Sequence, residues 1–336
     1  MILTAERIVI RTPFCDLFGV EHPVALGGMG SIFAPRMVAA VSEAGGLGAL
    51  GCHNLTEEQI RSATKAVREI TRKPFGLNFL LFRINDECFE TALAEKPPVI
   101  AFAWPRGDQA LKPYIDRAHA AGAKVTFMVS GVDGALRAAE AGADLIVAQG
   151  SEGGGHVGWM GSIALTPMVV DAVAPLPVLT AGGLADGRGL AAALALGASG
   201  ALFGTRFLAS EESPIHENFK RAIVESNGHD TVLTEIPDIA ANMVWPGAMS
   251  RARRNRFIER WSGREWALRQ NQASALAAVQ AARKAGDAEE APLSFGQDAG
   301  LIHDILPAGK IVQRIVAEAE RILAERLPKL VGSRKT

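Results

Sequence analysis

Pro177 to Thr205 reads PVLTAGGLADGRGLAAALALGASGALFGT. A short apolar run, PVLT, ends in the turn AGG. A segment of helical period, DGRGLAAALALG, follows and closes on glycine, and a second apolar run, GALF, opens a second turn, GT. Apolar runs that are continuous rather than alternating fit strands buried on both faces, which means a parallel sheet with helical crossovers.

The same unit recurs toward the N-terminus. DLIVAQG at Asp144 to Gly150 follows the helical VDGALRAAEAG, and AKVTFMVS at Ala123 to Ser130 follows DQALKPYIDRAHAAG. PVIAFAW at Pro98 to Trp104, FGLNFLL at Phe75 to Leu81, GLGALG at Gly46 to Gly51 and VALGG at Val24 to Gly28 complete the set. Pro35 suits the first turn of the helix after Val24 to Gly28, and Gly45 suits its end. Thr56 and Gln59 have the spacing of a capping box. Eight strand candidates alternating with helices are the number that closes a (β/α)₈ TIM barrel. The alternative is an open doubly wound sheet, whose fingerprint loop follows the first strand. GGMGSI at that place lacks the third glycine, and the glycine-rich turns sit late in the chain. The barrel is the expected fold.

After about Asp230 the texture changes to proline-bounded loops and then long helical stretches, expected at Ser250 to Trp261, Gly263 to Ala285 and Pro307 to Leu327. The chain divides on this reading into a barrel core over 1–229, a helical lid or extension over 230–308 that covers the barrel mouth, and a C-terminal helix over 309–336 that packs back on the barrel.

Composition narrows the function classes. The 336 residues carry a formal net charge of -1, with 48% hydrophobic and 21% charged residues. No broad basic field invites nucleic acid or an anionic membrane. The densest basic run, RARRNR at Arg251 to Arg256, reads as a solvated helix face rather than a phosphate patch. Cys15, Cys52 and Cys88 are too few and too scattered for a disulfide framework or a zinc site, which suits a reducing cytoplasm. Charges at Glu6, Arg7 and Arg11 interrupt the N-terminal stretch, so neither a secretory signal nor a membrane span is expected there. No pair of histidines or carboxylates has metal-ligand spacing, and no metal is expected. His216, His229 and His303 read as structural or solvated. The exposed faces of the C-terminal helices would allow a homodimer.

In a closed parallel barrel the active site lies at the carboxyl ends of the strands, and loops seven and eight commonly hold a phosphate. Backbone amides of Gly182, Gly183, Gly204 and Thr205, with the Thr205 hydroxyl, suit that role. The same ends carry Met29, Asn78 and Gln149, and the amide side chains of the last two offer donors and acceptors to a flat heteroaromatic ring. Lys124 reads two ways, as a cation beside an anionic ring or as a lysine that merely ends a helix before a strand. AQGSEGGGHVG at Ala148 to Gly158 runs off the sixth strand and carries His156, the side chain there able to move a proton near neutral pH.

PVALGGMG, AGGLGALG, KPFGLNF, AQGSEGGGHVG, the Pro177 to Ser213 stretch and QDAGLI, in this order, resemble the nitronate monooxygenase family, long called 2-nitropropane dioxygenases. The resemblance runs from about Phe14 to Leu323 and implies an FMN-dependent barrel. It implies phosphate contacts at Gly182, Gly183, Gly204 and Thr205, and ring or ribityl contacts at Gly28, Met29, Asn78, Lys124, Gln149, Gly150 and Gly155. His156 would face the substrate as base or anion holder, and Gln297 and Gly300 would approach the pocket from the extension. Gly153 stands where many members carry alanine, and Gly28 where many carry proline. The implied reaction is oxidation of alkyl nitronates, or of the nitroalkanes themselves, by O2 to a carbonyl compound and nitrite. The same barrel also serves reductases that use NAD(P)H as co-substrate on a quinone or enoyl thioester. A flavin-binding protein without catalysis, and a sugar-phosphate site without flavin, are further readings.

Overall fold

The computed structural model describes residues 9–29 and 32–331; the N-terminal stretch read above against a signal or span lies mostly outside them. Eleven strands occur among the described residues: β1 Val24–Leu26, β2 Gly48–Gly51, β3 Phe75–Leu80, β4 Val99–Ala103, β5 Lys124–Val129, β6 Leu145–Gln149, β7 Gly155–Val157, β8 Val178–Ala181, β9 Ala201–Phe203, β10 Thr231–Thr234 and β11 Met249–Arg253. Eight of them form one parallel sheet in the order β1-β9-β8-β6-β5-β4-β3-β2. Its two edges meet: Ala25 bridges Leu47, the Leu26 amide donates to the Leu47 carbonyl at 2.9 Å, and the Leu47 amide to the Val24 carbonyl at 2.9 Å. A sheet closed this way has no edge left to pair, and the expected barrel is the fold observed.

Local chemistry sets the crossovers. Thr56 and Gln59 form the anticipated capping box ahead of helix Glu57–Ile70. Asn85 Oδ1 accepts from the Cys88 amide at 2.8 Å and starts helix Asp86–Ala94. Outward strand positions such as Leu77, Phe79, Phe102, Phe127 and Ile146 share one buried cluster with the helices. Inward positions are smaller: Ala25, Ala49, Gly76, Asn78, Ala101 and Thr126 line a central cavity. Alternation across the pleat therefore gives a packed outer layer and an interior with room in it. The amino end is plugged by helix Pro13–Phe18, whose Phe14 is fully buried in a cluster with Val99, Leu145 and Leu179. Burial of such a ring contributes about 2–3 kcal/mol.

Beyond the barrel, the structure departs from the purely helical extension that the sequence suggested. β10 and β11 pair antiparallel, and β11 pairs antiparallel with β7, making a three-stranded sheet over the mouth. The basic run is therefore half strand, not a solvated helix face. Arg251 is buried, with its guanidinium donating to the Ser151 carbonyl at 2.9 Å and to Thr231 Oγ1 at 3.1 Å. The helix begins only at Arg256–Trp261, capped by Asn255 Oδ1 on the Ile258 amide. The stretch expected as one helix over Gly263 to Ala285 breaks at Asn271 into Glu265–Gln270 and Gln272–Ala285. There the Asn271 side chain donates to the Ala267 carbonyl, the kind of local bond that competes with helix. Helix Ala308–Arg321 returns to the barrel, with Ile311, Val312 and Ile315 in its main core cluster. Among the described residues no helix is long and apolar enough to cross a membrane.

Candidate active site

The small inward residues leave a cavity of about 400 Å³ that opens at the carboxyl ends of the strands, within the range of pockets that take small ligands. The extension roofs it with Pro237, Asp238, Met243, Trp245, Arg283 and Asp298. The two ends of this cavity differ in kind.

One end is backbone. Gly182 and Gly183 follow β8 with φ of 88° and 77°, conformations that glycine adopts without the Cβ penalty. A Cβ on Gly182 would lie 2.6 Å from the Gly150 carbonyl oxygen. The amides of Gly182, Gly183, Gly204 and Thr205 donate to no backbone oxygen among the described residues. Unpaired amides gathered at one place make a nest for an anion. Thr205 departs from expectation in one respect: its hydroxyl oxygen accepts the Gly296 amide at 2.9 Å and its proton goes to Asp298, so the hydroxyl serves the extension. Burial pushes the Asp298 carboxyl up to about 7 against the pull of Thr205. Arg283, on the helix whose Ala282 clusters with Leu208 and Ala185, also lines the cavity and forms no ion pair among the described residues.

The other end is side chain. β7 places His156 over the mouth, held in register with Ser250 of β11. His156 Nε2 lies 2.9 Å and 3.0 Å from the two carboxylate oxygens of Asp238. The indole of Trp245 stacks on the imidazole with centroids 3.4 Å apart and planes 12° from parallel. Trp104, a bulky residue held at φ 53°, meets Trp245 edge to face at 6.0 Å. A side chain of that size in the left-handed region marks local strain, which collects at functional sites. With its Nε2 proton given to Asp238, His156 keeps the Nδ1 lone pair free for a proton.

Between the ends stand Gly28, Met29, Asn78 and Gln149, all lining the cavity. A Cβ on Gly28 would collide with the Asn78 side chain. Asn78 Nδ2 donates to the Ala101 carbonyl at 3.2 Å. Gln149 Oε1 is buried with no hydrogen-bond partner among the described residues, an acceptor open to a ligand donor.

Several sequence expectations are corrected. Lys124 is the first residue of β5, at the amino end of the barrel, half-exposed and paired with Asp144 at 3.2 Å; it is the helix-to-strand lysine and does not line the cavity. Gln297 is exposed and Gly300 packs against the Asn227 carbonyl, so neither lines the cavity, and Asp298 between them does. Gly150 faces Ser162, and Gly154 faces the Phe295 backbone, where a Cβ would come within 2.5 Å. Gly150 thus admits protein rather than ligand, whereas Gly154 lines the cavity as well as packing on Phe295, and Gly155, with φ 73° and open space around it, borders the cavity too. Glu152 fixes the loop by accepting the Ser162 amide at 3.0 Å and its hydroxyl at 2.9 Å. Asp238, Trp245, Trp104 and His53 were not singled out by sequence reasoning. For Asp238 alone a local signal existed, the proline in the first turn of its short helix Ile236–Ala240.

Comparison with known proteins agrees with this geometry. The sequence profile described as nitronate monooxygenase matches residues 11–89 and 83–318. A probable nitronate monooxygenase of Staphylococcus aureus is 30% identical, covering 92% of this chain and 97% of that protein. The (3aS,4S,5R,7aS)-5-hydroxy-7a-methyl-1-oxo-octahydro-1H-indene-4-carboxyl-CoA dehydrogenase of Rhodococcus jostii is 32% identical, covering 92% of this chain and 96% of that protein. Its namesake in Mycobacterium tuberculosis is 40% identical over 228 residues, and there the match spans 67% of this chain and 63% of that protein. Among solved structures, FabK of Thermotoga maritima superposes with a TM-score of 0.85 at 35% identity, covering 96% of this chain and 100% of that one.

Proposed function

The chain belongs to the nitronate monooxygenase family of oxidoreductases, and from that membership we propose that it binds FMN and oxidises alkyl nitronates, with the parent nitroalkanes as further substrates, using O2. The observation that carries this reading is the His156–Asp238 pair under Trp245, set across one cavity from four amides that donate to no backbone oxygen among the described residues. The residues fit the cofactor. The Gly182, Gly183, Gly204 and Thr205 amides would hold its phosphate, with Arg283 as countercharge, and Asn78, Gln149, Gly28 and Met29 would border its ring system. Bound there, FMN supplies the electron transfer that no side chain of the pocket can.

The protein's own part is proton transfer and positioning. Asp238 fixes the Nε2–H tautomer of His156 and stabilises the imidazolium formed when Nδ1 takes the α-proton of a neutral nitroalkane. The face of Trp245 favours that cation further. A preformed nitronate needs no base, and His156 then serves as its hydrogen-bonding partner. Met243, Trp104 and Trp245 keep water from the reacting carbon.

A second reading has its own support: the two dehydrogenases named for a carboxyl-CoA are 32% and 40% identical, against 30% for the probable monooxygenase. On this reading the carbon acid is a CoA thioester, and the same dyad handles its α-proton, with NAD(P)H or another partner exchanging electrons at the flavin. Anaerobic stopped-flow mixing of the flavin-loaded protein decides between them. Bleaching by ethyl nitronate with none by NADH or acyl-CoA supports the monooxygenase. Bleaching by NADH or acyl-CoA alone overturns it.

A further inference from the structure

Among the described residues, five ionisable side chains line the cavity: His53, His156, Asp238, Arg283 and Asp298. Arg283 and Asp298 belong with the glycine end and Asp238 with His156, which leaves His53 unassigned. His53 follows β2, and β2 and β6 are the second and sixth of eight barrel strands. They stand diametrically opposite, so His53 enters the mouth facing the loop that carries His156.

The two imidazoles sit in opposite environments. His156 has a carboxylate on one nitrogen and an indole on its face. His53 Nδ1 is buried and has no hydrogen-bond partner among the described residues. Burial, with the Arg83 guanidinium and the His156 ring close by, pushes the His53 imidazole down to about 4. The neighbourhood therefore keeps His53 neutral at pH 7, one nitrogen carrying a proton and the other a lone pair. A buried imidazole kept neutral, facing one whose ring is oriented by a carboxylate, is a means of dividing donor and base roles in one pocket.

We infer that His53 is a second substrate-contacting imidazole, a neutral hydrogen-bond donor to the oxygen of the group that activates the reacting carbon. The inference rests on the carbon-acid reading above and adds the acceptor side of the step. The C–H bond breaks and its proton passes to His156 Nδ1. The electron pair left on carbon moves into a C=N bond of a nitroalkane, or a C=C bond of a thioester enolate, and negative charge collects on oxygen. The His53 N–H stays on nitrogen and holds that oxygen, an interaction stronger in the transition state than in the ground state.

The test uses the flavin-loaded protein and nitroethane. His53→Leu removes the donor and His53→Gln keeps one; His53→Met, also without a donor, replaces the first if flavin content shows that it misfolds. Proton loss from nitroethane is followed by exchange into D2O, and ethyl nitronate turnover by oxygen uptake. Expected is a fall in kcat for proton loss on the order of 10²-fold in the donor-less variant, matching loss of one charge-stabilising donor. The KM for ethyl nitronate should rise, His53→Gln should recover part of both, and the acid limb of the kcat/KM profile should stay in place. Wild-type rates in the donor-less variant overturn the inference. A displaced or missing acid limb also overturns it, because His53 would then be the titrating base. Absence of proton loss in the unaltered protein fails the carbon-acid reading itself, which His156→Asn checks separately.

Discussion

The two ends of the cavity present polar groups of different kinds. At the glycine end the groups are backbone amides, supplied by two consecutive β-loop-α units, and they need only glycine in the left-handed region and open space. At the imidazole end the groups are side chains on segments far apart in the chain, with His156 meeting a carboxylate 82 residues further on. Backbone recognition is written locally, whereas proton chemistry needs a base, an orienting acid and a cover that only tertiary structure brings together.

Separate damage to each end should separate binding from turnover. The largest effect is expected from His156→Asn: proton loss from neutral nitroalkanes falls by about 10²–10⁴-fold while the visible flavin spectrum persists. Nitronate turnover should fall far less, and equal losses on both substrates would remove the base assignment. Asp238→Asn, which keeps the shape but not the charge, should cost less on the same assay. Gly182→Ala is the counterpart at the glycine end. Its Cβ would meet the Gly150 carbonyl at 2.6 Å in a backbone with φ 88°, and the strain of about 1–2 kcal/mol should reduce bound flavin roughly tenfold. A fully yellow variant would break the comparison.

The smaller effects concern stability, and they run in opposite directions at the two ends. Asp298 is raised in the folded state from 3.8 to about 7, so folding is penalised as pH rises from about 4 through 7. Asp298→Asn should therefore be more stable than the parent at pH 8 by a few kcal/mol, with the gap closing toward pH 4 in thermal melts. His53 is lowered from 6.5 to about 4, so its contribution is intact above 6.5 and is lost as pH falls toward 4. His53→Gln should resist acid better than the parent over that window, by up to about 3 kcal/mol. Parallel pH dependence in parent and variant would mean that His53 is solvated.

Much of this architecture was legible because its signals are short-range. The capping box at Thr56, the first-turn Pro35 and the two glycine turns each act within a few residues, and all stand as read. The extension was less legible. Met249 to Arg253 carries two arginines in five residues, and its strand character comes from pairing with β7 and β10 rather than from propensity. Gly150 looked like a ligand glycine because the sequence cannot say what approaches it, and what approaches is protein. Lys124 was misplaced for a related reason, since a residue's end of the barrel depends on where its strand begins.

By itself, then, the sequence determined the eight-unit barrel, the nest of amides after the seventh and eighth barrel strands, and the presence of one histidine beyond the sixth. Apolar runs and glycine turns encode these through local sterics and burial. Tertiary structure decided what that histidine can do. Asp238, Trp245 and β11 reach it only after the extension folds over the mouth, and His53 faces it only because the sheet closes. A side chain's basicity depends on the charges and rings within a few ångströms of it, and those neighbours come from distant parts of the chain.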